Sequence, residues 1–203
     1  MTDETKGDAE RKGYWYQTYT GREVYPIDLR PEDIDIRDIA HSLALKCRFN
    51  GSCRVMYNVA QHSLHVHDYL LATVRSWGGV NRRMVLSWGL MHDAAEAYLG
   101  DITRPVKSSL QGVKEIEASI QSTIAERFYL ELPMPEEVLH ADNVLLVTEA
   151  RDLMAPPPRP WGVVAQPWQR NLNLYLEPWQ ITERRFLEQA VELGIVGRGE
   201  AGL

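Results

Sequence analysis

His62, the adjacent pair His92-Asp93 and Asp142 are residues of metal-binding type. Glu96 and Asp101 are carboxylates able to move protons, and they lie in the same short stretch that runs from His92 to Asp101. A neighbouring His-Asp pair offers one nitrogen and one oxygen ligand. A histidine upstream and an aspartate downstream complete a two-His, two-carboxylate set with coordination positions left for water and substrate, as a catalytic metal requires. Each residue alone is weak, since a single histidine on an apolar helix face is more often a hydrogen-bonded core residue. The combination carries more, because ionisable groups buried together need a common partner. The chemistry it points to is hydrolysis at a metal.

Helices must position these groups. Asn58 suits an N-cap for a helix reaching about Arg75, with Val59, His62, Val66 and Tyr69 or Leu70 on its inner face. A second helix is expected from about Asn81 through Met84, Val85, Trp88, Met91 and Ala95, stopping before Gly100. His92 and Glu96, four residues apart, would then share a face. Two more helices fit residues 113–130 and 135–154, the second carrying Val138, Leu139, Asp142, Leu145, Leu146 and Glu149. Upstream, Ile36, Ile39, Ala40 and Leu43 recur at helical spacing after acidic residues. Downstream, Pro156, Pro157, Pro158 and Pro160 end a helix, and an irregular stretch with Trp161 and Trp168 follows. Trp179, Phe186, Leu187, Ala190 and Val191 then mark a terminal helix.

The expected class is all-α, a single helical bundle over residues 14–203 behind a disordered tail of residues 1–13. Residues 14–31 read as irregular or a short hairpin. A length of 203 residues, 44% of them hydrophobic, suffices for one domain with a real core. The formal net charge of -6, from 22 Lys+Arg against 28 Asp+Glu, argues against a stable nucleic-acid complex while leaving room for a small phosphorylated ligand. Cys47 and Cys53 make neither a zinc ribbon nor a disulfide framework. No apolar run approaches the roughly eighteen residues of a membrane span, and no signal core opens the chain, so a cytoplasmic location without membrane partners is expected.

His62, His92-Asp93 and Asp142 resemble the H…HD…D signature of the HD-domain metal-dependent phosphohydrolases. Residues 58–63 (Asn-Val-Ala-Gln-His-Ser), 92–96 (His-Asp-Ala-Ala-Glu) and 100–107 (Gly-Asp-Ile-Thr-Arg-Pro-Val-Lys) are similar to segments of bacterial 5'-deoxynucleotidases and phage dATP triphosphohydrolases. The likeness spans roughly residues 40–150 and implies an HD-domain bundle with an irregular N-terminal extension. It implies that His62, His92, Asp93 and Asp142 bind one divalent ion: zinc, manganese, cobalt, nickel or iron. Between the His-Asp pair and Asp142 only His140 occurs, so a second ion would arrive with the substrate phosphates. By the same resemblance Glu96 and Asp101 are catalytic, Lys107 and Arg48 meet phosphate, and Phe49 stacks on a base. Ser63, Arg54 and Arg104 are further phosphate candidates.

The activity this implies is hydrolysis of deoxynucleotide phosphates: a dATP-preferring triphosphohydrolase releasing deoxynucleoside and triphosphate, or else a 5'-nucleotidase acting on deoxynucleoside monophosphates. A non-catalytic nucleotide sensor with a structural metal is a third reading, against which the intact Glu96 and Asp101 count. A cyclic-dinucleotide phosphodiesterase would need additional histidines. The expected partner is a small nucleotide, in a homo-oligomer, within the host cytoplasm for a phage-encoded member. The tryptophans are read as core or oligomer contacts.

Overall fold

Arg11 fastens the start of the described chain. In the computed structural model, which describes residues 11–73, 81–172 and 177–203, its guanidinium donates to Asp28 Oδ2 (3.2 Å) and Asp33 Oδ2 (2.5 Å). Order therefore begins before the expected Tyr14; the rest of the predicted tail, residues 1–10, lies outside the described residues. The segment left undecided between loop and hairpin is a hairpin. Strand β1 (Tyr16–Gln17) pairs antiparallel with β2 (Glu23–Val24), Tyr16 facing Val24. Gly21 turns the chain between them at φ 86°, where a side chain would be strained.

Helix α1 (Ile36–Leu45) is capped by Asp35, whose side chain accepts the Arg37 N–H at 2.9 Å. Helix α2 (Val59–Thr73) starts as its sequence indicates: Asn58 Oδ1 accepts the Gln61 N–H (2.8 Å), and Gln61 Oε1 accepts the Asn58 N–H (3.3 Å), a reciprocal capping box. Its expected end at Arg75 falls outside the described residues. Helix α3 (Arg82–Met91) is capped by Asn81, but it does not run on to Gly100. Residues 92–95 form turns held by i to i−3 bonds, such as Ala94 N–H to Met91 O (3.0 Å) and Glu96 N–H to Asp93 O (2.9 Å), and a separate short helix α4 (Glu96–Leu99) follows. His92 and Glu96 thus belong to different elements, which corrects the continuous helix. Gly100, at φ 93°, closes α4.

Helix α5 (Arg104–Lys107) precedes α6 (Val113–Arg127) and α7 (Glu136–Leu153), and α8 (Trp179–Glu192) and α9 (Arg198–Ala201) complete the order. Helix α6 stops three residues early, where Leu130 N–H returns to Ala125 O (2.8 Å) around Tyr129 at φ 55°. Leu139 of α7, expected inside, is half exposed.

Helix α2 packs against α3, α7, α1 and α8, and α1 lies along α8. The core between them includes fully buried Ile36, Ile39, Leu43, Leu70, Trp88, Leu145 and Phe186. Burying such a side chain contributes about 1.5–3 kcal/mol, so these elements hold α2 and α7 rigidly enough to carry a site. Among the described residues no helix is long and apolar enough to cross a membrane.

Candidate metal centre and adjoining cavity

His62 lies in the first turn of α2, fully buried. His92 follows the last residue of α3, and its Nδ1–H donates to Gly89 O at 2.9 Å, one helical turn back. That bond fixes the tautomer and turns Nε2 toward His62, where the two Nε2 atoms stand 3.1 Å apart. Asp142, in the second turn of α7, brings Oδ1 to 3.2 Å from His62 Nε2. Asp93 Oδ2 lies 3.3 Å from His92 Nε2 and 3.6 Å from His62 Nε2. Donor atoms of His62, His92 and Asp142 all fall within 4.8 Å of one another.

These donors fit a divalent ion. Ligands at about 2.0–2.2 Å from one metal stand roughly 3–3.5 Å apart, close to the spacings found. Two Nε2 lone pairs facing each other at this range need a cation or a proton between them. Asp93 Oδ2 is buried and has no hydrogen-bond partner among the described residues, despite its near contacts. Such an orphaned oxygen is costly unless something cationic sits beside it.

Glu149, to which the sequence alone assigns no role, underpins this cluster. It is completely buried on α7, two turns beyond Asp142. Its Oε1 accepts His62 Nδ1–H (2.5 Å) and Tyr57 O–H (2.8 Å), and its Oε2 meets Arg48 Nη2 at 3.2 Å. Tyr57 oxygen in turn lies 2.8 Å from His65 Nδ1, so His65 supports His62 through this chain of bonds. A carboxylate on the far nitrogen of a metal-binding histidine fixes its ring and raises its basicity. The seven-residue spacing from Asp142, on the face of Val138 and Leu145, is the sequence signal that could have disclosed it.

Charge follows from these contacts. Burial opposes ionisation of Glu149, but His62 and Arg48 hold it below its ordinary range. Burial and Arg48 press His62 down, yet Glu149 and Asp142 outweigh them and raise it to about 9. Burial pushes Asp142 up, while the hydrogen bond and charge of His62, with His92, bring it to about 2. Asp93 is held below the usual carboxylate range against its burial, chiefly by His92. Glu96 goes the other way, pushed up to about 9 by burial and then by Asp93 and Asp101. Burial also raises Asp101. The cluster therefore sets two carboxyls held acidic, Asp93 and Asp142, beside two that burial pushes up, Glu96 and Asp101.

A cavity of about 620 Å³ opens onto this centre, lined by Asp93 and Asp142 and by Glu96 and Asp101. Arg48, Arg104, Lys107 and Arg159 bring positive charge to it, and Phe49 and Trp161 bring aromatic faces. Arg48, mostly buried, lies 3.6 Å from Asp93 as well as on Glu149. Arg104 donates to Asp142 Oδ2 (2.7 Å), leaving Oδ1 to the histidines. Lys107 Nζ holds Glu117 at 2.6 Å. Ser63, expected at the substrate, is not among the residues that line the cavity and is fully buried in α2. Arg54 also lies away from this lining. Trp168 and Trp179 pack against the core as expected, whereas Trp161 faces the cavity.

Comparison with known proteins adds lineage. A family model described as HD domain matches residues 53–142. The uncharacterized protein YfdR of Escherichia coli strain K12 is 36% identical over 137 residues, covering 68% of this chain and 71% of that protein. An uncharacterized protein of Rhodobacter capsulatus is 34% identical over 143 residues, covering 69% of this chain and 71% of its own. With the likeness extending over most of both relatives, and with His62, His92, Asp93 and Asp142 all inside the matched region, this chain belongs to the HD-domain family.

Proposed function

We propose that the protein is a metal-dependent phosphohydrolase of deoxynucleotides, foremost a deoxynucleoside triphosphate triphosphohydrolase. The observation that carries this reading is a single cavity joining the His/Asp cluster to cationic and aromatic side chains. Its volume of about 620 Å³ falls within the range of small-molecule sites and accommodates a nucleotide.

His62, His92, Asp93 and Asp142 would hold the ion. Such an ion supplies Lewis acidity to phosphoryl oxygens and lowers the pKa of water. Arg48, kept charged by Glu149 and Asp93, orients the reacting phosphate and offsets the charge that builds on it. Water attacks the α-phosphorus, the bond from phosphorus to the 5' oxygen breaks, and triphosphate departs carrying the oxygen of the water. Glu96 and Asp101 handle the protons: one takes the proton of the attacking water and the other protonates the leaving 5' oxygen. Arg104, Lys107 and Arg159 extend the positive lining beyond the first phosphate, which supports the longer chain. Preference for adenine rests on the resemblance to the phage enzymes.

The engagement of Arg104 with Asp142 and of Lys107 with Glu117 favours a second reading, a 5'-nucleotidase of monophosphates, because neither cation is uncommitted. Purified protein with manganese, cobalt, zinc, nickel or iron, offered deoxynucleoside mono-, di- and triphosphates, separates the two. Deoxynucleoside plus intact triphosphate establishes the first. Orthophosphate from monophosphates alone establishes the second, and inactivity toward every nucleotide removes both.

A further inference from the structure

Hydrolysis of a phosphate ester needs cations, a metal and carboxylates; it does not need aromatic rings. The cavity nevertheless presents two of them. Phe49 sits in a 3-10 turn (Arg48–Gly51) with φ 53°, and Asn50 follows at φ 51°. Two consecutive non-glycine residues in the left-handed region are strained, and such strain persists where the surroundings impose it, often at binding sites. Trp161 lies 5.8 Å from the Phe49 ring at 56°.

Trp161 belongs to the irregular stretch after α7, beyond the region that matches the HD domain. The prolines at 156, 157, 158 and 160 fix their own φ, so this stretch loses little entropy on being ordered. Further on it is fastened to α7: Thr148 Oγ1 accepts the Trp168 N–H (2.8 Å), Arg151 donates to Trp168 O (2.8 Å), and Asp152 Oδ2 accepts the Leu172 N–H (3.0 Å). Trp161 lies between the prolines and these anchors. It remains 42% exposed, whereas Trp168 and Trp179 are partly buried against the core. A large apolar ring kept at a cavity by a stiff, anchored segment suits a flat ligand.

We propose that Trp161, braced by Phe49, stacks on the nucleobase, which makes the segment after α7 the determinant of base recognition. This rests on the nucleotide phosphohydrolase reading above. The tilt and closeness of the two rings leave no slot between them, so the base lies on the open face of Trp161. Any nucleobase offers a π-face, and stacking is accordingly tolerant of base identity. The ligand class is a nucleoside phosphate rather than a simple sugar phosphate.

The test compares a deoxynucleotide that the full-length protein hydrolyses with its base-free counterpart, 2-deoxyribose 5-phosphate or 5-triphosphate, in wild type, Trp161→Ala and Trp161→Phe. Trp161→Ala should lower kcat/KM for the nucleotide about tenfold, chiefly through KM, and leave the base-free substrate unchanged. Trp161→Phe should stay within about threefold of wild type, since it keeps a stacking ring. Equal losses on both substrates, or no loss on the nucleotide, would overturn the proposal while leaving the phosphohydrolase reading intact. Wild type that cleaves the base-free compound as efficiently as the nucleotide also overturns it. Wild type inactive on all nucleotides overturns both readings together.

Discussion

Glu149 meets His62, Tyr57 and Arg48 at once and is closed to solvent. It ties His62, which would hold the metal, to Arg48, the proposed phosphate contact, through one carboxylate. Glu149→Gln keeps the shape and removes the charge that holds both. We expect divalent-metal affinity to fall about 10- to 100-fold, as read by competition with a chelator; unchanged affinity would show that His62 needs no such support. Proton linkage gives a second prediction at this scale. Without metal, the folded chain keeps a proton on Glu96 up to about 9 against an ordinary 4.5, and one on His62 up to about 9 against 6.5. Over both windows the native state binds more protons than the unfolded one, so stability falls as pH rises from about 5 to 9. Thermal melts in EDTA should show this fall, and Glu96→Gln should flatten the part below the His62 window. Metal must displace the His62 proton, so its affinity should rise over the same range.

Helices α1, α2, α6, α7 and α8 were legible because each joins an apolar period to a recognisable start or stop, such as the Asn58 cap or the prolines after α7. The break between α3 and α4 was not, because a spacing of four fits both an unbroken helix and one interrupted by 3-10 turns. His62, His92, Asp93 and Asp142 could be picked out by type and spacing. Glu149 shares the inward face of Asp142, but its type and spacing do not reveal its role, since it acts through a histidine 87 residues away; Trp161 lies in a segment without period. Ahead of that break, α3 packs closely on α2. A Cβ at Gly89 would come 2.5 Å from Leu70 Cδ1, and Leu70 is fully buried. Overpacking of this kind costs about 1–3 kcal/mol, more than the helix propensity of at most about 1 kcal/mol that alanine gains. Gly89→Ala should therefore lower Tm. It should weaken metal binding as well, because Gly89 O orients His92; a higher Tm would show that the two helices separate freely.

The folded unit is larger than the region that matches the family. Arg48 and Phe49 precede residue 53, while Glu149 and Trp161 follow residue 142. Helices α1 and α8, packed along each other, lie wholly outside it and contribute Ile36, Ile39, Leu43 and Phe186 to the core. A fragment of residues 53–142 would expose the faces of α2 that they cover and would leave His62 without Glu149. It should show neither a cooperative melt nor stoichiometric metal binding, measured by circular dichroism and metal analysis. Phe186→Ala probes the same dependence in the whole chain. Its ring is fully buried on α8 and absent from the cavity lining. Removing it should cost about 3–5 kcal/mol, a large share of the roughly 5–15 kcal/mol that stabilises a typical domain. At low temperature the molecules still folded should retain the wild-type KM, because no cavity residue has changed. A raised KM with little change in Tm would place α8 in the chemistry of the site instead of beneath it.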